Sequence, residues 1–546
     1  MLHGLMMNTQ LTISSLLVHA DKYHGDTEIV SRPIEPDLSQ TLHRTTYRAL
    51  HGRAQQCANA LVRLGIQEGD RVGTLAWNGY RHMELYFAIS GMGAVTHTIN
   101  PRLFVPQIAW IINHADDQAL FFDLTFAPIV AQLVPLCPRV KHWVAMTDTA
   151  HMPAIDGALC YETLIQPESP HYAWPALNEN AAASLCYTSG TTGNPKGVLY
   201  SHRSTVIHAF AAALPDVMAL SSREVVLPVV PMFHVNAWGI PYAAAMTGVK
   251  LVMPGAGLDG ASLYQLFEQE KVTLTAGVPT VWLGVLQHLQ KNGLKLSTVT
   301  RMVVGGAACP PALMDTFKND YNIQMQHAWG MSELSPIGSY GQLKHKHDAL
   351  SASEQRAILL KQGRPPYGID LQIVDSEGKE QARDGIATGD LMARGVWVVQ
   401  RYFGADADAT DAVNPSWFAT GDVASLDPDG YVHITDRSKD VIKSGGEWIS
   451  SIELENLAMA HPAVAEAAAI GMKHEKWDER PLLIVVRKPD THVSKADILQ
   501  FMDGKIAKWW LPDDVVFVNE IPHTATGKIL KTQLRVDFKD YIWPTA

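Results

Sequence analysis

The chain has 546 residues, of which 47% are hydrophobic and 18% charged. Those proportions are ordinary for a globular protein, and the length predicts two or more domains. The formal net charge of −11 argues against a general nucleic-acid partner. We expect neither a signal peptide nor a membrane span, because the N-terminus lacks a basic stretch and no apolar run approaches the roughly 18 residues that a bilayer requires. Five scattered cysteines without paired spacing favour a reduced, cytoplasmic compartment.

Residues 1–170 alternate strand and helix patterns, for example a strand at 70–77, a helix at 84–92 and a strand at 93–98. This alternation predicts a layered sheet of largely parallel strands. The same alternation returns further along the chain. Its strands are predicted at 224–230, 272–275 and 301–304, with a helix at 263–270.

The predicted strands become short and turn-linked in the next part of the chain, at 371–374, 389–393, 423–426 and 431–435. They predict a β-rich subdomain. The last segment has strands and helices of its own. We therefore predict an α/β protein with a large N-terminal domain of layered α/β sheets plus the β-rich subdomain, residues 1–436, and a small α+β C-terminal domain, residues 437–546.

Residues 187–197 read YTSGTTGNPKG and combine three glycines, four serine or threonine hydroxyls and one lysine. Glycine lets backbone N–H groups approach a phosphate closely, while hydroxyls and lysine add donors and charge. The apolar flanks predict a strand on either side, and Ser201 suits the N-cap of a following helix. Because Pro195 precedes Lys196 and a glycine follows it, the segment is not a Walker loop, in which Lys-Ser/Thr opens a helix. A solvated turn is the alternative.

A second segment, 327–333, reads HAWGMSE. An aromatic ring beside a glycine can stack on a purine, and the short hydroxyl of Ser332 can meet a phosphate. The carboxylate of Glu333 can hold Mg²⁺ directly or through water. A charge that stabilises a helix N-terminus is the alternative for Glu333.

Asp422 and Arg437 flank a predicted hairpin whose turn, 427–430, reads DPDG. Counting outward from this turn places Asp422 opposite Thr435, two residues from Arg437. The sequence therefore predicts that a carboxylate and a guanidinium lie close together. They form either a structural salt bridge or part of a binding site.

Three further segments carry candidate chemistry. Lys528 follows a Thr-Ala-Thr-Gly turn, and the glycine-rich segment 443–448, KSGGEW, precedes a helix-capping pattern at 450–453. An exposed charge and a hairpin turn are the respective alternatives. Segment 231–239, PMFHVNAWG, is apolar and carries no carboxylate for a substrate amine, so it suits either an apolar pocket or plain core packing.

Together these segments resemble the signatures of the acyl-adenylate-forming superfamily, which includes acyl-CoA synthetases, luciferases and peptide-synthetase adenylation domains. The resemblance spans essentially the whole chain. It implies that a carboxylic acid reacts with ATP to form acyl-AMP and pyrophosphate, and that coenzyme A then takes the acyl group. It also implies Mg²⁺, a mobile C-terminal domain that rotates between the two half-reactions, and a homodimer.

The resemblance assigns residues to ATP and its metal. Those implied for the phosphate loop are Thr188, Ser189, Gly190, Thr191, Thr192, Gly193 and Lys196. Those implied for the rest of the nucleotide are Gly306, Ala307, Ala308, Trp329, Gly330, Met331, Ser332, Asp422 and Arg437. In this set Trp329 lies against adenine and Asp422 takes the ribose hydroxyls. Glu333 and Thr188 are the implied Mg²⁺ ligands, and Ser332 stands where the family usually has threonine.

The resemblance also implies catalytic and coenzyme A residues. Lys528 would bridge the substrate carboxylate and the α-phosphate, which is electrostatic stabilisation of the transition state. Lys439 matches the hinge about which the C-terminal domain turns. Lys443 and Gly446 belong to the cofactor-binding set, with Gly446 lining the pantetheine tunnel.

The implied acyl pocket contains His234, Trp238, Gly277 and Val278, with Trp238 as a gate. Amino-acid-activating relatives place an aspartate near position 234, so this segment most resembles fatty-acyl-CoA synthetases. Within that set it is similar to bacterial medium-chain fatty-acid ligases and to 3-methylmercaptopropionyl-CoA ligases. We expect an acyl-CoA synthetase for a short- to medium-chain fatty acid, longer chains not being excluded, with 3-methylmercaptopropionate as the alternative substrate. Transfer to a carrier protein or to oxygen, and a non-catalytic ATP-binding protein, are further alternatives.

Overall fold

The computed structural model describes residues 2–38, 41–188, 194–404, 416–444, 447–474, 476–489, 491–524 and 528–543. The strands in chain order are β1 Glu28–Ser31, β2 His43–Thr46, β3 Arg71–Leu75, β4 Val95–Thr98, β5 Asp117–Phe122, β6 His142–Ala145, β7 Leu159–Cys160, β8 Ala182–Tyr187, β9 Gly197–Ser201, β10 Val225–Pro228, β11 Lys250–Met253, β12 Leu274–Gly277, β13 Arg301–Val304, β14 Gln324–Gly330, β15 Ile337–Tyr340, β16 Ile369–Val374, β17 Thr388–Gly395, β18 Phe418–Leu426, β19 Val432–Arg437, β20 Ile442–Ser444, β21 Glu447–Ile449, β22 Val464–His474, β23 Asp478–Arg487 and β24 Asp514–Val518.

The helices in chain order are α1 Ile13–His24, α2 Tyr47–Arg63, α3 Tyr80–Gly91, α4 Val105–Ala115, α5 Ala127–Leu133, α6 Tyr161–Ile165, α7 His202–Ala213, α8 Val235–Trp238, α9 Ile240–Thr247, α10 Gly260–Glu270, α11 Pro279–Asn292, α12 Pro311–Tyr321, α13 Ala352–Leu359, α14 Ser451–Met459, α15 Lys495–Met502 and α16 Lys531–Asp537. Within the described ranges, no helix has the length and apolar character needed to cross a membrane. Ser201 is the N-cap of α7, as predicted, and its hydroxyl oxygen accepts from the backbone N–H of Ser204 at 3.0 Å.

Two large sheets form most of the N-terminal part. One has eight strands in the order β15-β14-β13-β12-β10-β11-β1-β2, and the other has seven in the order β7-β6-β5-β3-β4-β8-β9. The central pairs are parallel, whereas β1–β2, β14–β15 and β8–β9 are antiparallel. Parallel strands require crossover connections, which the intervening helices supply. The predicted layered α/β sheets are therefore confirmed.

The largest core lies among the helices and strands of these two sheets. Helices α1, α2, α3, α7 and α9 all contribute to it, and representative side chains without exposed surface are Leu17, Leu61, Tyr86, Ala209 and Ala244. Burial of such side chains is the main favourable term in folding. This core holds the two sheets in a fixed relation, which positions the loops at their strand ends.

Asn78 links the loop after β3 to the segment after β10. Its amide donates to the carbonyls of Pro228 at 2.8 Å and Val230 at 2.9 Å, and its side-chain oxygen accepts from the N–H of Met232 at 2.6 Å. The side chain is buried, so these bonds satisfy an amide that water cannot reach. They fix the start of the apolar segment 231–239.

The β-rich region is an antiparallel sheet in the order β16-β17-β18-β19. Its last hairpin corrects the predicted register, because Asp422 pairs with Arg437 and not with Thr435. Two features of the hairpin change which residues of β18 and β19 lie opposite each other. Pairing resumes at Leu426 and Val432, so the loop is longer than the predicted turn, and the register shifts again after Val423. A β-bulge of this kind adds one residue to one strand.

The C-terminal part has a sheet in the order β21-β20-β23-β22, with β24 beside β23, and helices α14, α15 and α16. It encloses a core of its own, in which Ile442, Leu454, Leu483, Val485 and Ile498 have no exposed surface. The predicted β-rich subdomain and α+β C-terminal region are therefore confirmed. The domain boundary after residue 436 remains a prediction.

Predicted and observed strands differ mainly at their ends. The strand predicted at 301–304 is β13 itself, whereas the strand predicted at 272–275 begins at Leu274. The difference arises because the N–H of Val272 bonds to the carbonyl of Phe267 at 3.0 Å and completes the end of α10. Backbone groups that close a helix cannot also join a sheet ladder.

Candidate active site

Several predicted site residues lie at one edge of the eight-stranded sheet. Strands β10, β12, β13 and β14 are parallel neighbours, so their carboxyl ends share that edge. His234, Gly277, Gly306 and Gly330 stand at or just beyond these ends. Open α/β sheets bind ligands in the crevice outside the carboxyl ends of their strands. The fold therefore brings the predicted acyl and nucleotide residues to the same place.

Trp329 and Asp422 join this edge to the β-rich sheet. The indole Nε1–H of Trp329 donates to Oδ2 of Asp422 at 2.8 Å, and Nε of Arg437 lies 3.6 Å from Oδ1. Asp422 is buried. Burial raises the pKa of its carboxyl group, while the nearby Arg437 and the indole hydrogen bond act in the opposite direction. The predicted carboxylate and guanidinium are together, and the carboxylate also orients the indole.

Glu333 lies in the short 3-10 turn Ser332–Leu334 and is buried. The hydroxyl of Tyr402 donates to its Oε1 at 2.7 Å. The hydroxyl of Tyr200 donates to the carbonyl of Ser332 at 2.7 Å. The backbone and the carboxylate of this segment are thus both fixed by tyrosine hydroxyls. Tyr402 was not predicted from the sequence, because a single tyrosine between Arg401 and Phe403 carries no motif.

The predicted phosphate loop joins the antiparallel strands β8 and β9, as expected. At its base the N–H of Thr188 donates to the carbonyl of Lys196 at 2.9 Å, and the N–H of Lys196 donates to Oγ1 of Thr188 at 3.4 Å. Nζ of Lys196 lies 4.7 Å from the centre of the Tyr402 ring. The remaining predicted loop residues, Ser189, Gly190, Thr191, Thr192 and Gly193, lie outside the described residues.

Lys528 reaches the same region from the C-terminal part and is partly buried. Its N–H donates to Oγ1 of Thr524 at 3.1 Å, and the N–H of Thr524 donates to the Lys528 carbonyl at 2.6 Å. Burial, with help from Arg437, lowers the pKa of the ammonium group to about 8, although Asp422 and Glu333 favour its charged form. The proposed catalytic lysine thus interacts electrostatically with the carboxylates predicted for ribose and metal.

The segment after β13 borders this lysine. Gly306 has φ +81°, a conformation that favours glycine, and a methyl group there would lie 3.3 Å from Cγ1 of Val278 and 3.9 Å from Cε of Lys528. Ala307 is exposed and Ala308 is half-buried. The predicted adenine ledge therefore lies between a predicted acyl-pocket residue and the lysine.

Gly330 and Met331 are held against the turn that follows them. A methyl group on Gly330 would lie 1.9 Å from the carbonyl oxygen of Pro336, to which the N–H of Met331 donates at 3.1 Å. Only glycine fits this close approach. The side chains of Trp329 and Met331 pack against the core of the four-stranded sheet. Met331 therefore supports this segment at least in part through packing.

The apolar segment forms an unusual left-handed turn. Val235, Asn236, Ala237 and Trp238 have φ values of 40°, 54°, 50° and 57°, and Gly239 follows at 75°. Such a turn costs roughly 1–2 kcal/mol for each residue other than glycine. The buried side chain of Asn236 stabilises it, since its amide donates to Oγ of Ser184 at 3.1 Å. The turn was not predicted from the sequence, because Val235, Ala237 and Trp238 all disfavour a left-handed conformation.

Trp238 belongs to this turn, and His234 directly precedes it. A methyl group on Gly305 would lie 3.2 Å from Cη2 of Trp238, so the buried indole packs on that glycine. Burial, with a smaller effect of Lys528, lowers the pKa of His234 to about 3, so the imidazole is neutral at physiological pH. A methyl group added at Gly277 would lie 2.9 Å from Cζ2 of Trp282, so this glycine packs closely against the indole. The predicted acyl-pocket residues therefore comprise apolar groups and one neutral histidine.

Lys439 and Lys443 lie in the segment that leads into the C-terminal part. Arg535 donates to the carbonyl of Lys439 at 3.3 Å and to the carboxylate of Asp440 at 2.8 Å, and burial lowers the pKa of the Lys439 ammonium group. Lys443 is exposed in β20, where its N–H donates to Oε2 of Glu479 at 2.9 Å. Within the described part of the chain, no bond joins the Lys443 side chain to the other predicted site residues. Gly446 lies outside the described residues.

Comparisons with known proteins agree with this geometry. The family model "AMP-binding enzyme" matches residues 17–403, and "AMP-binding enzyme C-terminal domain" matches residues 453–528. The chain is 53% identical to a 3-methylmercaptopropionyl-CoA ligase of Ruegeria lacuscaerulensis over 98% of this chain and 99% of that protein. It is 49% identical to a medium-chain-fatty-acid–CoA ligase of Ectopseudomonas oleovorans over 99% and 98% of the two chains.

The fold is similar to that of a solved relative. The crystal structure of an anthranilate CoA ligase in complex with anthranoyl-AMP matches with a TM-score of 0.86 and 25% identity, over 98% of both chains. The family matches cover more than half of the chain, and the relatives match along its whole length. The chain therefore belongs to the AMP-binding enzyme family of the acyl-adenylate-forming superfamily and is an AMP-forming acid–thiol ligase that uses ATP, coenzyme A and a carboxylic acid.

Proposed function

We propose that this ligase activates a medium-chain fatty acid, first as acyl-AMP and then as acyl-CoA, and that the residues described above carry out both steps. The observation that carries the proposal is the convergence of Lys528 with Asp422 and Glu333 beside the Trp238 pocket. A lysine from the C-terminal part thus lies among groups suited to ribose, metal and acyl chain. That arrangement suits attack of a carboxylate on the α-phosphorus of ATP, with pyrophosphate as the leaving group.

The apolar character of the pocket supports a fatty acid as the substrate. His234 is neutral because its pKa is lowered to about 3, and Trp238 and Val278 are apolar. An apolar pocket with few polar groups favours ligands of the same kind. The similarity to a medium-chain-fatty-acid–CoA ligase adds support. The similarity to a 3-methylmercaptopropionyl-CoA ligase favours that short thioether acid as a second candidate.

The nucleotide would be held from several sides. Trp329 would lie against adenine. Asp422, with Arg437 beside it, would accept hydrogen bonds from the ribose hydroxyls. The loop between β8 and β9 would cover the β- and γ-phosphates, with Lys196 as its cation. Backbone N–H groups and a lysine are suited to this because each oxygen of a phosphate accepts hydrogen bonds. Ser332 would contribute a hydroxyl near the α-phosphate.

Mg²⁺ fits the residues at this site. In the described ranges no cluster of three or more histidine, cysteine, aspartate or glutamate side chains forms a closed metal cage. A magnesium ion that arrives with ATP needs only one or two carboxylates besides phosphate and water. The Glu333 carboxylate and the Thr188 hydroxyl are hard oxygen donors of the required type. The bound ion would neutralise charge on the leaving pyrophosphate.

In the first step a carboxylate oxygen of the acid attacks the α-phosphorus, and the bond to pyrophosphate breaks. The ammonium group of Lys528 would lie between the two reacting groups and stabilise the charge that develops there. Its position next to Gly306 and Val278 supports this role. Removal of one such donor in other enzymes costs about 10²–10³-fold in rate.

In the second step the thiolate of coenzyme A attacks the acyl carbon, and AMP leaves. We infer that the C-terminal part first turns about Lys439, which removes Lys528 and brings Lys443 and Gly446 to the coenzyme A path. Lys439 lies two residues after Arg437, the last residue of β19, so a change in its backbone angles would move everything after it. We further propose a cytoplasmic homodimer, by analogy with the family.

A panel of acids tests the substrate. Acid-dependent pyrophosphate release and acyl-CoA formation would be measured with butanoate, hexanoate, octanoate, decanoate, hexadecanoate, benzoate and 3-methylmercaptopropionate. We expect the highest kcat/KM with hexanoate to decanoate. A higher kcat/KM with 3-methylmercaptopropionate would favour the second candidate, and a preference for benzoate would contradict both.

A further inference from the structure

Tyr402 lies in the segment 397–403, which is hydrogen-bonded to two different parts of the candidate active site. The N–H of Val399 donates to the carbonyl of Glu333 at 2.8 Å, and the N–H of Phe403 donates to the carbonyl of Gly197 at 2.8 Å. The first bond attaches the segment to the metal-carboxylate turn and the second to the base of the phosphate loop. These backbone hydrogen bonds on either side therefore fix the position of the Tyr402 backbone.

Two more bonds secure the start of this segment. The indole N–H of Trp397 donates to the carbonyl of Ile337 at 2.9 Å, and the hydroxyl of Ser335 donates to the carbonyl of Trp397 at 2.9 Å. Trp397 is buried. Buried groups whose hydrogen bonds are satisfied rigidify the backbone that they attach to. The segment is thus a fixed support rather than a loosely attached loop.

The hydroxyl of Tyr402 donates to Oε1 of Glu333 at 2.7 Å. A hydrogen bond to a carboxylate is roughly twice as strong as one between neutral groups. Because Glu333 is buried, the bond also restricts its carboxylate to one orientation. A ligand that is already oriented binds a cation with less loss of side-chain freedom.

The face of the same ring contacts the phosphate loop. Nζ of Lys196 lies 4.7 Å from the ring centre of Tyr402, which is within the range of a cation–π interaction. A cation on the ring face also draws electron density from the phenol and strengthens its O–H as a donor to Glu333. One tyrosine therefore contacts both a cation of the loop and the carboxylate.

We propose that Tyr402 is a positioning residue that orients Lys196 and Glu333 relative to each other for the binding of Mg·ATP. This inference rests on the proposed metal role of Glu333. Tyr402 acts through its two neighbours: it fixes the carboxylate by its hydroxyl and the loop lysine by its ring. Loss of the hydroxyl would leave Glu333 in place but free to rotate.

Nucleotide binding tests this without turnover. Binding of α,β-methylene-ATP, with and without Mg²⁺, would be measured by titration calorimetry for the wild type and for Tyr402→Phe. The magnesium gain is the ratio of nucleotide affinity with Mg²⁺ to affinity without it. We expect this ratio to be about tenfold smaller in Tyr402→Phe, because one hydrogen bond to a charged group is removed. Metal-free binding should stay within about twofold of the wild type. Tyr47→Phe is the matched control, since it deletes another tyrosine hydroxyl, bonded to the carbonyl of Val249 at 2.7 Å.

A double-mutant cycle with Glu333→Gln provides the second test and does not depend on the size of either effect. If Tyr402 acts through Glu333, then Tyr402→Phe should change the magnesium-dependent gain by less than about twofold once Glu333 is replaced. Equal effects of Tyr402→Phe in both backgrounds would overturn the inference, as would a full magnesium gain in Tyr402→Phe alone. A full magnesium gain in Glu333→Gln alone would overturn the metal role of Glu333, which distinguishes that failure from a failure of the Tyr402 inference alone.

Discussion

The indole N–H of Trp329 donates a 2.8 Å hydrogen bond to Oδ2 of Asp422, and this bond connects the eight-stranded sheet to the β-rich sheet. Arg437, opposite Asp422 in the hairpin, approaches the other carboxylate oxygen at 3.6 Å. One carboxylate thus orients an aromatic side chain and faces a guanidinium. For a nucleotide, this places a purine-stacking group and a ribose acceptor in a fixed relation.

Replacement of Asp422 by asparagine should raise KM for ATP by about tenfold or more, since a hydrogen bond to a charged group contributes about 1.5–3 kcal/mol. Asparagine keeps an oxygen that can accept from Trp329 but loses the charge that faces Arg437. Steady-state kinetics at saturating acid would measure the effect. Asp370→Asn is the control, because Asp370 pairs with Arg394 on the surface. An unchanged KM in Asp422→Asn would return the Asp422–Arg437 pair to a structural role.

Much of this site could be predicted from local residue chemistry, but not its assembly. The sequence indicated that Asp422 and Arg437 would be close, and they are, yet the predicted register was wrong by two residues. Turn composition predicts that a hairpin exists, whereas a longer loop and a β-bulge depend on packing of the whole sheet. The approach of Lys528 to Glu333 could not be predicted from spacing, because only the folded chain brings these distant positions together.

Two features gave no signal in the sequence at all. Tyr402 is a single aromatic residue without a motif, and its role depends on contacts with Lys196 and Glu333 that only the fold creates. The left-handed turn at 235–239 has only one glycine, at its end. Its cost is met by tertiary contacts such as the Asn236 side-chain bonds. Tertiary contacts override local propensity most often at functional sites.

Glu333→Gln should lower the rate of acid-dependent pyrophosphate release by about 10²-fold and raise the Mg²⁺ concentration needed for half-maximal rate, because the substitution removes a charge suited to the ion. The shape of the side chain is retained. Magnesium titrations of the adenylation rate would measure both values. Glu354→Gln, at the surface cap of α13, serves as the control. An unaltered magnesium requirement would exclude Glu333 as a metal ligand.

The lowered pKa of Lys528 predicts a pH dependence. The ammonium form is the useful one, and its pKa in the free enzyme is about 8. The value of kcat/KM for adenylation should therefore fall above about pH 8, by tenfold per unit at the alkaline limit, since kcat/KM reports groups of the free enzyme. Bound phosphates favour the charged lysine, so kcat should fall at a higher pH than kcat/KM.

The control for this pH profile is the second half-reaction. Formation of acyl-CoA from supplied acyl-AMP should lack the fall above pH 8, because Lys528 is not used there. The side chain of the Lys528→Arg variant stays protonated. Its remaining adenylation activity should therefore show no fall in kcat/KM above pH 8. The same limb in both half-reactions of the wild type would assign it to another group.

Gly305 predicts how acyl-chain preference can be changed. An added methyl group would lie 3.2 Å from Cη2 of Trp238 and 3.0 Å from the carbonyl oxygen of Ala328, both shorter than an ordinary contact of about 3.5–4.0 Å, so the indole and the backbone of β14 must both shift. Gly305→Ala should lower kcat/KM for decanoate by about tenfold more than for butanoate, since one methylene in a pocket changes discrimination by roughly 10–200-fold. Trp238→Ala should act in the opposite direction.

Gly284→Ala is the control for steric change, because no atom lies within 4 Å of a methyl group at that position. It should leave the order of preferred acids unchanged. An equal loss for every acid in Gly305→Ala would show that the methyl group disturbs the nucleotide rather than the acyl chain.

The measurement that tests the account most directly is separate assay of the two half-reactions in Lys528→Ala. Single-turnover formation of acyl-AMP from octanoate and ATP would be compared with formation of octanoyl-CoA from supplied octanoyl-AMP, with Lys539→Ala, an exposed lysine of the same region, as the control. We predict that Lys528→Ala loses adenylation by about 10³-fold and keeps thioester formation within about threefold of the wild type. Equal loss in both half-reactions, or full adenylation in the variant, would contradict the assignment of Lys528 as the lysine of the first step.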